Sequence, residues 1–140
     1  MGDFSDIFHS LGIGLPYFLG HLILTVAIWI VAMAVCFRIT PYHPIRGIRA
    51  GNVSAAVSAG GAALGTAIPL AFCLAGAING WDIVLWAVPV MLVQLLAFGL
   101  TSLVIPDLPE RIDGGDLAAA IFLFLFRIGF ACINAAAIAS

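Results

Sequence analysis

The chain has 140 residues, of which 64% are hydrophobic and only 9% charged, with a formal net charge of −2. An ordinary soluble domain carries roughly 25% charged residues, so this composition excludes a water-facing surface and puts one apolar domain in contact with lipid. Five arginines, no lysine and a negative balance also exclude a nucleic-acid surface.

In chain order, residues 1–14 come first. Phe4, Ile7, Phe8 and Leu11 recur at i, i+3, i+4, i+7, opposite Asp3, Asp6, His9 and Ser10. This predicts a short amphipathic helix lying on the outer membrane surface. Gly12 and Gly14 are expected to break it, and Pro16 to open the first span. The segment has no basic region and so does not read as a signal peptide, and Asp6 breaks the myristoylation pattern that Gly2 would begin.

Four apolar stretches follow: Leu15 to Phe37, Val53 to Ala77, Ile83 to Ile105 and Leu117 to Ala139. Each is near the roughly 20 residues a helix needs to cross hydrocarbon, and none alternates as a β-barrel strand does. The predicted fold is all-α, a polytopic membrane protein with four transmembrane helices. Arg38, Arg46 and Arg49 flank the first inter-span connection and Arg111 lies in the third. The N-terminal segment and Asn79-Gly80-Trp81-Asp82 carry no Lys or Arg. The positive-inside rule then predicts both termini on the outer side, with Trp81 and Trp86 at the outer interface.

The two arginine-bearing loops resemble each other. Pro41-Tyr42-His43-Pro44-Ile45-Arg46-Gly47-Ile48-Arg49-Ala50-Gly51-Asn52 aligns with Pro106-Asp107-Leu108-Pro109-Glu110-Arg111-Ile112-Asp113-Gly114-Gly115-Asp116 once one residue is removed. Ala55, Ala56, Gly65 and Ala67 recur 64 positions later as Ala119, Ala120, Gly129 and Ala131. This predicts two helical-hairpin repeats, 15–77 and 78–140, in the same orientation about an axis along the membrane normal. In each loop prolines end the outgoing helix and stiffen the turn. Asn52 and Asp116 are placed to cap the returning one, or alternatively to hold an ion or head group.

These entries, with Gly65-Thr66-Ala67-Ile68-Pro69-Leu70, Gln94-Leu95 and Asn134-Ala135-Ala136, resemble the bacterial inner-membrane family called domain of unknown function 350. The resemblance covers nearly the whole chain. It implies a four-span inner-membrane protein with two repeat units, and it implies no activity or catalytic residues. Arg127 is not part of that pattern.

Arg127 sits midway along the fourth span, where an arginine costs roughly 2.5–3.5 kcal/mol by insertion scales. It shares a helix face with Asp116, Ala120, Leu123, Ala131 and Asn134, and Gln94 lies at nearly its depth. The Gln94 side-chain carbonyl is therefore expected to accept a hydrogen bond from Arg127, and Arg127, Gln94 and Asn134 form an intramembrane polar stripe. Ser54, Ser58, Gly61 and Gly65 form a small-residue strip in span two, for packing within the chain or between copies. Pro69 is placed to bend that helix.

Cys36, Cys73 and Cys132 lie in apolar stretches without metal-ligand spacing, and His21 is a lone interfacial histidine. No HExxH, CxxC, phosphate-binding loop or Ser-His-Asp arrangement is present. The sequence thus predicts a non-enzymatic component of the cell envelope without metal or cofactor. Its partners would be the bilayer and either further copies of itself or another membrane protein. The competing reading is a small anion channel, its pore lined between subunits by Arg127, Asn134 and Gln94.

Overall fold

The computed structural model describes residues 3–140, so Met1 and Gly2 of the amphipathic segment lie outside the described residues. Six helices follow one another: α1 (Phe4–Ile39), α2 (Pro44–Arg49), α3 (Val53–Gly76), α4 (Gly80–Val104), α5 (Leu108–Asp113) and α6 (Leu117–Ala139). Of these, α1, α3, α4 and α6 are long and apolar enough to cross a membrane, and the short α2 and α5 fill the two arginine-bearing connections.

The break expected at Gly12 and Gly14 is absent: α1 runs unbroken for 36 residues, with Pro16 inside it rather than at its start. Each glycine costs only about 1 kcal/mol relative to alanine inside a helix, too little to stop one that continues through apolar residues on both sides. Pro16 removes one N–H and is accommodated within α1.

The helix α3 is the hub. It is packed against α6 along its length and also touches α1, α2, α4 and α5. Small side chains allow this, and Ser54, Ser58, Gly61 and Gly65 are all buried along its inward side. At Gly61 the α6 backbone comes so close that a methyl group there would lie 3.0 Å from Phe124 Cα. The strip is therefore occupied inside the chain. Lipid tails are as apolar as leucine, so helices in a membrane associate through such close contact rather than through a hydrophobic drive.

The starts of α3, α4 and α6 are capped by side chains. Asn52 Oδ1 accepts from the backbone N–H of Ser54 (3.0 Å) and Ala55 (3.3 Å). Its Nδ2 donates to the last carbonyls of α5, Ile112 at 3.0 Å and Asp113 at 3.2 Å, tying the two loop regions together. Asp116 accepts from the N–H of Ala119 at 3.1 Å and from Arg111 Nε at 2.7 Å. Those two interactions, the Ala119 N–H first, hold the Asp116 carboxyl below the usual carboxylate range. Both caps are thus engaged by the chain itself. Asn79 and Asp82, read from sequence as an outer loop, form a reciprocal capping box that starts α4.

Ahead of each cap stands a glycine in the left-handed region, Gly51 at φ 81° and Gly115 at φ 86°. A side chain there crowds the following carbonyl and costs about 1–2 kcal/mol. Gly51→Ala and Gly115→Ala should each lower stability by about that amount in detergent unfolding. Gly12→Ala and Gly14→Ala have free space around them and should be neutral or stabilising by up to about 1 kcal/mol, since glycine inside a helix costs that relative to alanine.

Candidate functional site

The polar stripe lies inside the bundle. Arg127, midway along α6, is 2% exposed, and Gln94, midway along α4, is 1% exposed. They meet, but with the roles of the atoms changed from the expected pairing. Gln94 Nε2 donates to the backbone carbonyl of Arg127 at 3.3 Å, and Gln94 Oε1 has no partner.

Helix geometry explains the difference. A helical side chain slants toward the N-terminal end of its helix, so the guanidinium is carried along α6 past the depth of Gln94. It reaches Phe98, one turn further along α4, and Arg127 Cζ lies 5.6 Å from the Phe98 ring centroid. A desolvated cation over an aromatic face gains about 2 kcal/mol. That offsets most of the roughly 2.5–3.5 kcal/mol that insertion scales assign to a mid-membrane arginine. An intramembrane carboxylate is not needed to explain why Arg127 is tolerated.

Above Phe98 sits Tyr42, from the connection between α1 and α2. Its ring centroid is 6.2 Å from that of Phe98, and its hydroxyl shares a hydrogen bond with the Ser58 hydroxyl. Tyr42 is buried with Leu108, Ile112, Ala119, Ala120 and Leu123, so it roofs the arginine. Burial pushes its phenol above the ordinary range, while the Arg127 charge pulls the other way. Sequence reasoning missed Tyr42 and Phe98. Tyr42 lies in a proline-bounded loop, where no periodicity shows that it folds inward. Phe98 is one apolar residue among many in its span.

Gln94 occupies a seat made by absence. A methyl group on Gly65 would lie 2.3 Å from Gln94 Oε1 and 2.6 Å from its Cδ, so the side-chain amide rests on the bare Cα of α3. Asn134, two turns beyond Arg127, is half-buried with Nδ2 unpartnered. Among the described residues the buried side-chain atoms without a partner are Gln94 Oε1, Arg127 Nε and Asn134 Nδ2. All belong to the predicted stripe. Because Gln94 and Arg127 are enclosed by their own chain, they are not on a surface where neighbouring copies could share them as a pore lining.

No group of three or more His, Cys, Asp or Glu that could hold a metal is found among the described residues. Cys36 and Cys73 are buried and Cys132 is exposed, all as free thiols.

With this geometry in view, the sequence matches the family model described as Domain of Unknown Function (DUF350) over residues 10–138. The chain belongs to that family. It is also similar to a UPF0719 inner membrane protein, YjfL, of Escherichia coli strain K12, at 29% identity over 119 residues. The match covers 85% of this chain and 90% of that relative. The corresponding protein of Escherichia coli O157:H7 matches with the same figures. No solved structure matches. The family is of unknown function, so the residues of the stripe carry no assigned role from it.

Gly65→Ala should prevent α4 from seating and lower stability by more than 2 kcal/mol, within the range of overpacked cores. Gln94→Ala in the same chain should recover most of that loss, as a double-mutant cycle would show. Arg127→Met should leave stability equal or raised, because an apolar isostere removes the desolvation cost of a buried charge. Thermal unfolding in detergent tests both.

Proposed function

We propose that this family member is a non-enzymatic, multi-pass inner-membrane component that assembles with further copies of itself, using the outer half of α1. The observation that carries the reading is the state of that helix. Every described residue from Asp3 to Gly20 is exposed, and the exposed side chains include Phe4, Ile7, Phe8, Leu11, Tyr17 and Phe18.

Length makes the exposure consequential. At 1.5 Å per residue, α1 is about 54 Å long, against roughly 30 Å of hydrocarbon. Gly80, the first residue of α4, packs against Leu24, so Leu24 is level with one end of the bundle. The twenty residues from Phe4 to Ile23 continue about 30 Å past that level. Lipid covers an apolar helix only over the thickness of the hydrocarbon, so an arm that outruns it leaves apolar surface that the same arm of a neighbouring copy would cover.

Two further parts of the reading rest on the sequence. The duplication is supported by α2 and α5 beginning 64 residues apart, as do α3 and α6, with Gly51 and Gly115 at matching backbone angles. The outward placement of both termini is supported by the arginines of the α2 and α5 connections. The anion-channel reading is less well supported, because Arg127 and Gln94 are sealed within one chain.

Stepwise photobleaching of the labelled full chain in lipid vesicles tests the proposal. Wild type should show more than one subunit per assembly, and Phe8→Asp combined with Leu11→Asp should shift it to one while circular dichroism stays helical. A wild-type chain that is monomeric, or a variant that assembles unchanged, overturns it. An anion flux abolished by Arg127→Met with assembly intact would favour the channel instead.

A further inference from the structure

One cleft outside the polar stripe joins charge to apolar surface. It lies where α1 turns into α2, has a volume of about 350 Å³, and is lined in part by Phe37, Arg38, Tyr42, His43, Ile45 and Arg46. No acidic residue lines it. Arg38 and Arg46 are exposed, and neither makes a salt bridge among the described residues, where Arg111 pairs with Asp116. The two repeat-related loops thus treat their arginines differently. The α5 loop neutralises Arg111 internally through Asp116 at 2.7 Å. In the α2 loop Asn52 stands at the corresponding cap, carries no charge, and leaves the cations unanswered.

We infer that the α1–α2 cleft binds the phosphate-bearing head group of an anionic phospholipid. Charge complementarity asks for an anion, and two arginine forks suit phosphate oxygens, which they contact in bidentate fashion. The surroundings select a lipid over a free ion. Ile45, in the cleft on α2, is 51% exposed, and Ile39, the last residue of the spanning helix α1 and next to Arg38, is 57% exposed. Acyl chains cover such residues while the head group meets the arginines. Basic clefts at the ends of membrane helices take anionic head groups in this way. Arg38 also lies in the last turn of α1, where the helix dipole keeps a cation in place.

The site is tested on the full chain in nanodiscs of phosphatidylcholine containing about one-fifth phosphatidylglycerol, with retained lipid counted by native mass spectrometry. Wild type should retain phosphatidylglycerol in excess of its share. An arginine near an anionic surface contributes roughly five-fold in affinity, so Arg38→Gln with Arg46→Gln should remove most of the enrichment. Arg49→Gln, in the same helix but outside the cleft, should leave it intact. Equal retention of both lipids by wild type overturns the inference, as does unchanged enrichment in a double variant that remains helical. A loss of the same size in Arg49→Gln overturns it too, since the attraction would then be diffuse loop charge. Displacement of the lipid by millimolar inorganic phosphate would instead make this a free-anion site and likewise overturn the lipid assignment.

Discussion

The close approach of α4 and α6 to α3, at Gly65 and Gly61, is the constraint on which the rest of the bundle depends. Within a membrane, burying apolar side chains against one another gains little over burying them in lipid. What holds four helices together is contact close enough for dispersion and for a few hydrogen bonds between helices. Gly65 supplies the space in which the Gln94 amide lies, and from there Gln94 Nε2 reaches the backbone of α6 at Arg127. Three helices thus meet at one amide. The small residues of α3 are the condition for that meeting, and the polar residues of α4 and α6 exploit it.

Arg127 follows from this arrangement more than it causes it. Its backbone carbonyl is what Gln94 grips, and its side chain then extends to Phe98 under the roof formed by Tyr42. A cation–π contact of about 2 kcal/mol against an insertion cost of roughly 2.5–3.5 kcal/mol leaves a small deficit, which neighbouring packing can absorb. A charge held so near balance adds little stability. Its gain is in specificity of register, since sliding α6 by one turn would separate the guanidinium from the Phe98 face. Buried charges that fix register at slight expense of stability are known in other helical assemblies.

Much of this was legible in the sequence because the bilayer imposes a simple rule. Stretches of twenty apolar residues must be helices, and Val53 to Ala77 and Leu117 to Ala139 accordingly match α3 and α6 closely. Caps were legible for a similar reason: Asn52 and Asp116 follow glycines that only a turn requires. Failures came where local punctuation is outweighed by its neighbours. Gly12, Gly14 and Pro16 often mark helix ends, yet α1 passes through all three, because about 1 kcal/mol per glycine is too little to stop a helix continued on both sides. Side-chain direction was the other gap. The depth of Gln94 and Arg127 was correctly matched along their spans, but which atoms meet depends on a slant of a few ångströms that residue spacing does not carry.

The proposed duplication is informative chiefly where it lapses. If α1 and α3 were equivalent to α4 and α6, then α1 should lie against α6 as α4 lies against α3. Instead α4 packs on both α3 and α6, while the substantial contacts of α1 are with α3 and α4. One flank of α6 is left bearing Phe122 stacked on Phe126, with Phe130 tilted against Phe126, beside Gly129. Gly129 occupies the position 64 residues after Gly65, but it has no amide to seat and nothing lies near it. A duplicated hairpin that satisfied itself fully would close into a symmetric, self-contained unit. In this chain α1 stays outside such a closure, its residues from Phe4 to Gly20 are exposed, and one flank of α6 is open. These departures fall on the same chain that keeps its polar groups sealed at the centre. Surfaces left open at the periphery and polar groups closed in the interior support the proposed assembly role over a conduit.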